Sequence, residues 1–304
     1  MSRENIQGPL LRGVNRFLTL PVAPVVLVLI GSIGTQAAAV LVTDMLSTVG
    51  APGVSGLRMT AAAVIMVALF RPKLTGMTRA RVINIVVYGI AMGMMSMMIY
   101  EAIARLPQGV AVTIDFLGPC VVSFLGLKMW RSRLWAIAAF VGVALIAQPS
   151  NDLDIVGIGY AAVGAIFFGT YTLFSARMGN TEGGGMSDLA LSVVVAAVVL
   201  APFSVPAAPL VDGSMWGIIV ISGFIGAVVP YVMDTIAAGI VSAAVVGTLF
   251  ALDPVIGAIL GWAFSGDQVT WSMAVGIVLI AAAGAIITWR GAKEARAVSA
   301  DALG

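Results

Sequence analysis

A succession of long apolar runs constrains the fold of this chain more than any other feature. The first run, residues 22–43, is long enough to cross a bilayer as a single helix, which needs about 20 mostly apolar residues. Comparable runs follow to the end of the chain, separated by short polar breaks. Only 10% of the 304 residues are charged, whereas a soluble domain carries about 25%. The sequence therefore predicts an all-α membrane protein with several spans.

Ten spans are predicted, joined by loops too short to hold a soluble domain. They cover residues 22–43, 54–70, 82–100, 109–127, 134–148, 155–176, 189–205, 215–234, 240–264 and 269–289. All of the 16 basic residues except Arg58 and Arg105 fall on the side that holds both chain ends. Because basic residues are retained on the cytoplasmic side, both termini are predicted to be cytoplasmic.

An internal repeat relates the two halves of the chain. At an offset of 135 residues, Gln36 in the sequence GTQ aligns with Tyr171 in GTY, and Pro119 aligns with Pro254. Each half then holds five spans, and since five is odd the halves insert with opposite orientations. This predicts one repeat over residues 22–148 and a second over 155–289, flanked by cytoplasmic segments 1–21 and 290–304. Inverted repeats are typical of secondary transporters, which bind substrate near the midplane between the halves.

Each half carries an acid next to a proline inside an apolar segment. Asp115 precedes Pro119 by one helical turn, and Asp253 directly precedes Pro254. Proline lacks a backbone donor and bends a helix, and an acid within hydrocarbon is a candidate functional group. We predict that the prolines are bend points and that Asp115 or Asp253 binds a proton or a substrate ammonium group. For Asp253, a cap on the bent backbone is the alternative.

Arg58 lies inside the second predicted span. A guanidinium binds a carboxylate through two parallel hydrogen bonds and stays charged at any working pH, so Arg58 is a candidate to hold a substrate carboxylate. The alternative is a structural ion pair with Asp115 or Glu101. Glu101 also lies four residues before Arg105, a spacing that favours a surface ion pair, and an outer-gate function is its second interpretation.

Further polar side chains occur within the apolar segments. Gln36 and Tyr171 occupy repeat-related positions, and Ser96 and Tyr100 lie on the methionine-rich third span. We predict that they line a central cavity between the first, third, fourth, sixth, eighth and ninth spans, with interhelical hydrogen bonds as the alternative. Asp234, near the end of the eighth span, is interpreted as a boundary residue that solvent reaches.

Several stretches carry a resemblance to a known family. They are residues 50–60 (GAPGVSGLRMT), 104–121 (ARLPQGVAVTIDFLGPCV) and 228–237 (VVPYVMDTIA), with the LDP that contains Asp253. Together with five plus five spans, they resemble the EamA type of the drug/metabolite transporter superfamily, and within it the bacterial threonine/homoserine exporter group. The chain departs from that pattern at Glu101, where an apolar residue is expected.

The resemblance implies a multi-pass bacterial inner-membrane protein that exports small metabolites, typically amino acids, in exchange for protons. It implies functional roles for Arg58, Asp115, Pro119, Asp253 and Pro254. We therefore predict a secondary transporter of threonine-like or homoserine-like amino acids or related metabolites, working by alternating access. Its expected partners are the substrate, protons and membrane lipid, with no nucleic acid; the oligomeric state is left open.

Other classes of function find little support in the composition. The chain has no histidine, its single cysteine, Cys120, has no evident activating group, and no phosphate-binding loop is present. We therefore expect no enzyme activity, no cofactor and no metal. The nearest alternatives are a drug exporter and a carboxylate or nucleotide-sugar carrier of the same superfamily; a membrane-embedded enzyme and a channel are more distant ones.

Overall fold

A computed structural model describes most of the chain. The described residues are 18–20, 22–72, 74–106, 108–126, 130–147, 154–179 and 185–265, with 271–272, 274–276, 278–279, 282–283 and 286 beyond them. Every regular element in these ranges is helical, which confirms the predicted all-α class. The tenth predicted span lies largely outside the described residues.

Six helical stretches are long and apolar enough, by length and composition, to cross a membrane. They are Ala23–Val49, Ala51–Phe70, Arg79–Ile103, Ile155–Ser175, Gly185–Leu210 and Gly213–Ile240. Shorter apolar helices, Val110–Leu125, Arg133–Gly142 and Val245–Gly257, fall at the fourth, fifth and ninth predicted spans. A multi-pass membrane protein is therefore confirmed. The full set of ten spans, the inverted repeat and the location of the termini stay predictions.

The helices of the first half follow the predicted spans closely. They are α1 (Ala23–Val42), α2 (Ala51–Phe70), α3 (Arg79–Ile103), α4 (Gln108–Asp115), α5 (Leu117–Gly126) and α6 (Trp130–Ala147). A 3-10 turn, Thr43–Met45, and a short helix, Leu46–Val49, connect α1 to α2. Pro24 and Pro52 occupy first-turn positions of α1 and α2, where the missing N–H costs no hydrogen bond.

The second half has a similar series of helices. They are α7 (Ile155–Gly179), α8 (Gly185–Ala207), α9 (Gly213–Gly223), a π-helix (Phe224–Val228), α10 (Val229–Ile240), α11 (Ala243–Leu249) and α12 (Leu252–Ser265). The Asp212 side chain caps α9 by accepting hydrogen bonds from the backbone N–H groups of Ser214 and Met215. These bonds, above all the one from Met215, lower the pKa of Asp212 because they stabilise its charged form.

The two spans that contain Pro119 and Pro254 are each broken into two helices. The break between α4 and α5 lies at Phe116, and the break between α11 and α12 lies at Phe250 and Ala251. In a continuous helix, the N–H groups of residues 119 and 254 would donate hydrogen bonds to the carbonyl groups of Asp115 and Phe250. Because both residues are prolines, these two hydrogen bonds cannot form. The structure thus interrupts both spans next to the predicted bend points, while the use of the prolines as hinges stays a prediction.

Helices of the two halves pack on each other around a shared centre. α1 packs against α10 and α12, whereas α7 packs against α3, α4 and α5, and α2 packs against α8. Glycines permit the closest contacts. A Cβ on Gly34 of α1 would collide with the carbonyl oxygen of Ile225, and a Cβ on Gly118 of α5 would collide with that of Ala165. This interleaving creates the cavity described below.

Two ion pairs lie away from that centre. Arg81, at the start of α3, donates two hydrogen bonds of 2.9 Å from Nε and one of 2.6 Å from Nη2 to the carboxylate of Asp188 on α8. Arg105 donates to the carboxylate of Glu101, which confirms the predicted four-residue pair. The Arg81–Asp188 pair connects the two halves, whereas the Glu101–Arg105 pair is local.

Candidate functional site

A cavity of about 100 Å³ lies between the helices of the two halves, and several polar side chains face it. Its polar lining comes from α1, α2, α3, α4, α7, α10 and α12. These side chains are Ser32, Thr35, Gln36, Arg58, Ser96, Tyr100, Asp115, Tyr171, Tyr231, Asp234 and Asp253. Every side chain predicted to bind substrate or to couple transport lies here, except Glu101. The roles of these residues stay predictions.

Arg58 is a buried cation held by neutral groups. Its side chain is 2% exposed, Nη1 donates to the hydroxyl of Tyr100, and Nη2 donates to the carbonyl oxygen of Ser222 at 3.2 Å. The guanidinium carbon lies 4.9 Å from the centroid of the Tyr100 ring, within range of a cation–π contact. The Nε–H has no acceptor among the described residues.

The structure contains neither of the ion pairs considered for Arg58. No carboxylate of the described residues lies within 4.0 Å of its guanidinium, and Glu101 pairs with Arg105 instead. Glu101 is half-buried at the end of α3, outside the cavity lining, and Arg105 stacks over the ring of Tyr160 at 4.8 Å. The positive charge of Arg58 therefore has no anionic partner within the described part of the chain.

The π-helix makes room for this guanidinium. A Cβ on Gly226 would collide with Nη2 of Arg58, and a Cβ on Gly223 would come within 2.9 Å of the Arg58 carbonyl oxygen. The Ser222 carbonyl that accepts from Arg58 lies just before this irregular turn. π-Helical turns often occur at functional sites because they redirect backbone and side-chain groups. The two glycines, spaced three residues apart, are the sequence signal that could have revealed this contact.

Asp115 ends α4 at the helix break and is 5% exposed. Its Oδ1 atom is buried with no donor among the described residues and faces Gly164 of α7, where a Cβ would lie only 2.5 Å away. A charge on this oxygen would be costly because nothing stabilises it, whereas a protonated carboxyl tolerates such a place better. The site is therefore chemically suited to hold a proton.

Other predicted lining residues also connect helices. Gln108 of α4 donates from Nε2 to Oε1 of Gln36 on α1 at 2.8 Å, and Ser55 of α2 donates to Ser96 of α3 at 2.9 Å. The two interpretations of these polar groups, cavity lining and interhelical hydrogen bonding, thus hold together for Gln36 and Ser96. Asp253 also lines the cavity, from the first turn of α12.

The interpretation of Asp234 as a solvated boundary residue is wrong. Its helix continues to Ile240, its side chain is 6% exposed, and Oδ2 accepts a hydrogen bond of 2.8 Å from the hydroxyl of Tyr171. The sequence was misleading because an acid at the edge of an apolar run resembles a span end. A tyrosine from the other side of the cavity satisfies the carboxylate and allows the helix to continue.

A group of aromatic rings clusters around Tyr171, the hydrogen-bond partner of this carboxylate. The ring centroid of Tyr171 lies 5.7 Å from that of Tyr231, 6.0 Å from Phe250 and 6.1 Å from Phe168. Tyr88 stacks on Tyr171 at 5.2 Å from outside the cavity lining. The cavity therefore has two chemically distinct regions, one around the Arg58 cation and one around the Asp234 carboxylate and its rings.

Metal binding finds no support in the residues that the structure describes. No group of three or more histidine, cysteine, aspartate or glutamate side chains is arranged there to hold an ion. Cys120 is a half-buried free thiol whose sulfur lies 3.8 Å from the Ala136 carbonyl oxygen.

Comparison with known proteins agrees with this architecture. Residues 155–289 match the model of the EamA-like transporter family. The threonine/homoserine exporter RhtA of Escherichia coli (strain K12) is 26% identical over 289 residues, with 91% of this chain and 95% of that protein covered. The exporter of the same name from Salmonella typhimurium (strain LT2) is 26% identical over 270 residues, with 87% and 91% covered.

A solved crystal structure has a similar fold, with a TM-score of 0.68, 17% identity, and coverage of 88% of this chain and 98% of that one. The predicted localisation, a multi-pass protein of a bacterial inner membrane, agrees with the bacterial relatives and the six spanning helices. These relatives are named as exporters rather than enzymes. Residues 155–289 thus match the EamA-like transporter family, and nearly the whole chain is similar to bacterial threonine/homoserine exporters.

Proposed function

We propose that this protein exports small α-amino acids of the threonine or homoserine kind across the bacterial inner membrane, in exchange for protons. The observation that carries the proposal is Arg58, a buried guanidinium in the cavity with no carboxylate of the described residues at ion-pair distance. An unpaired buried charge is costly, and a substrate carboxylate would supply the missing partner. The named activity of the relatives gives independent support.

The size of the cavity favours a small substrate over the alternative carriers. At about 100 Å³, it is smaller than the roughly 300–1,000 Å³ that is typical of pockets for drug-sized ligands. A nucleotide sugar or a large aromatic drug would need a much wider opening of the helices. A small zwitterion needs a cation, an anion and limited space, and the cavity supplies all three.

Alternating access through two inverted repeats is the transport mechanism that we propose. The spans at Pro119 and Pro254 are broken at equivalent places, and the helices of each half pack on helices of the other. Bending at these breaks would open the cavity alternately to the two sides of the membrane. Asp115 would carry the proton, since its enclosed Oδ1 gives a charge no stabilising donor.

Release of amino acids from cells tests the proposed function. Cells with and without the protein are loaded with dipeptides, and free amino acids are measured in the medium over time. We expect faster release of threonine and homoserine from the cells that make the protein. Asp44→Asn, at an exposed acid, is the matched variant that should release them as the wild type does. Equal release of every amino acid with and without the protein would refute the proposal.

Proton coupling is tested separately with Asp115→Asn. In proteoliposomes that contain the amino acid, this variant should lose transport driven by a pH gradient but keep exchange of labelled for unlabelled substrate. Exchange requires only binding and the conformational change, whereas net transport also requires a proton carrier. If gradient-driven transport persists in Asp115→Asn and is lost in Asp253→Asn, the coupling role belongs to Asp253.

A further inference from the structure

We propose that Asp234 and the aromatic rings around it form the subsite for the ammonium group of the substrate. This inference rests on the proposed function and assigns the second end of the same ligand. It differs from the sequence-based expectation, which placed ammonium binding at Asp115 or Asp253. The alternatives for this end of the cavity are a purely structural Tyr171–Asp234 bond or ammonium binding at one of the other acids.

The first argument is the chemistry around the carboxylate. Asp234 lines the cavity, accepts a hydrogen bond from Tyr171 through Oδ2, and forms no recorded ion pair with a described residue. The rings of Tyr231, Phe250 and Phe168 line the same region. A carboxylate beside several aromatic rings is the environment that recognises an alkylammonium ion, by charge pairing and by cation–π contacts.

The second argument is the orientation of the carboxylate. A Cβ on Gly31 of α1 would lie 3.3 Å from Oδ1 of Asp234 and 3.3 Å from the Cα of Pro230. Oδ1 therefore packs between α1 and α10 against Gly31, where only glycine leaves it room, while Oδ2 is fixed by the tyrosine. This arrangement orients a carboxylate that lines the cavity.

The third argument is the distance to Arg58. Both groups lie beside α1. Nη2 of Arg58 is near Ala38, because a Cβ on Gly226 would collide with both of them. The carboxylate of Asp234 is near Gly31. Gly31 and Ala38 are two helical turns apart, roughly 10 Å. With one hydrogen bond of about 2.8 Å at each end, an α-amino acid reaches at most about 9 Å, because its ammonium nitrogen and carboxylate oxygens lie about 3 Å apart. Arg58 and Asp234 are therefore placed near the upper limit of what one zwitterion can reach.

The other two acids suit this role less well. Oδ1 of Asp115 is enclosed and faces Gly164, so only the other oxygen of this carboxyl group is left for the cavity that Asp115 lines. Asp253 lies on α12 beside the helix break. The ring–ring contacts in this part of the cavity centre on Tyr171, whose hydroxyl donates its hydrogen bond to Asp234. We thus assign the carboxylate subsite to Arg58, the ammonium subsite to Asp234 and the proton-carrying role to Asp115.

The test measures which end of the ligand each residue recognises. Wild-type and variant proteins are reconstituted in proteoliposomes, and exchange of labelled threonine is competed with two analogues. In one analogue a hydroxyl replaces the amine; in the other a methyl ester replaces the carboxylate. For the wild type, the deaminated analogue should compete about tenfold or more weakly than threonine, because it leaves a buried polar site unpaired.

Asp234→Asn should remove most of this preference for the amine while the preference against the ester persists. Arg58→Gln, measured on the exchange that it retains, should show the reverse pattern. Tyr171→Phe keeps the ring and removes the hydrogen bond to Asp234, so it should reduce the amine preference partially. If Asp234→Asn does not fold, Tyr171→Phe serves as the test of the ammonium subsite. Asp44→Asn is the control expected to match the wild type.

Two failures are distinguishable. If the wild type exchanges threonine but Asp234→Asn or Tyr171→Phe keeps the full amine preference, the subsite assignment is overturned and the exporter function stands. If the wild type exchanges no amino acid, the proposed function is overturned and the ammonium subsite with it.

Discussion

Arg58 and Arg81 are arginines of the first half that contact the second half, yet their partners differ. Arg81 binds the fully buried carboxylate of Asp188 through both oxygens, and its own side chain is 26% exposed. Arg58 is 2% exposed and is held by a tyrosine hydroxyl, an aromatic ring and a backbone carbonyl. The more deeply buried arginine is thus the one without an acid among the described residues.

We interpret this difference as one between a structural role for Arg81 and a binding role for Arg58. A charge that is neutralised within the fold contributes to stability and has no need of a ligand. A buried charge without a counter-ion lowers stability, and such a cost is tolerated where the charge serves binding. A substitution at Arg58 should therefore reduce transport and leave stability intact. A substitution in the Arg81–Asp188 pair should reduce stability and leave transport nearly intact.

The largest effect is expected for Arg58→Gln. Loss of a buried charge-assisted contact to the substrate carboxylate costs about 2–5 kcal/mol, so transport should fall by about 30-fold or more. The melting temperature in detergent should stay the same or rise, because the variant no longer buries an unpaired charge. Arg58→Lys should recover little transport, since an ammonium lacks the two-pronged geometry of guanidinium. Normal transport by Arg58→Gln would show that Arg58 is structural.

Asp188→Asn should affect stability instead. Removing the carboxylate leaves Arg81 with a neutral partner, and breaking a buried pair typically costs about 3 kcal/mol or more, less here because Arg81 is partly exposed. We expect a clearly lower melting temperature and near-normal exchange per folded molecule. An unchanged melting temperature would remove the contrast between the two arginines.

Gly226→Ala tests whether the π-helix positions Arg58. The new Cβ would collide with Nη2 of Arg58 and with Ala38, so the guanidinium must move. A displacement of about 1 Å at a binding group can cost up to 100-fold, and we expect at least a tenfold loss of exchange. Gly217→Ala is the matched control, because a Cβ there meets nothing within 4 Å. Equal activity of the two variants would contradict a positioning role.

Glu101→Gln should have the smallest effect. The Glu101–Arg105 pair lies four residues apart at a helix end and its arginine is 34% exposed, so its loss should cost a few tenths of a kcal/mol. Exchange should be unchanged. A clear change in exchange rate would instead favour the outer-gate interpretation of Glu101.

The sequence predicted much of the fold because hydrophobic runs are local. The bounds of α1 and α2, the interruptions near Pro119 and Pro254, and the pairing of Glu101 with Arg105 all depend on residues within a few turns of each other. The cavity residues were predicted as candidates by the cost of polar groups in hydrocarbon. Asp234 was missed because its depth was inferred from the end of an apolar run.

By itself, then, the sequence determined that this chain crosses a membrane repeatedly, where two of its helices break and which side chains carry charge into the apolar region. Hydrophobic length and the missing proline N–H act along the chain, so they need no tertiary information. Only the tertiary structure decided the partners of those charges. Arg58 meets a carbonyl 164 residues away, and Asp234 meets a hydroxyl 63 residues away. Such contacts depend on how helices from the two halves pack. This packing gives the cavity a cation with no acid partner among the described residues and an acid bound by a tyrosine.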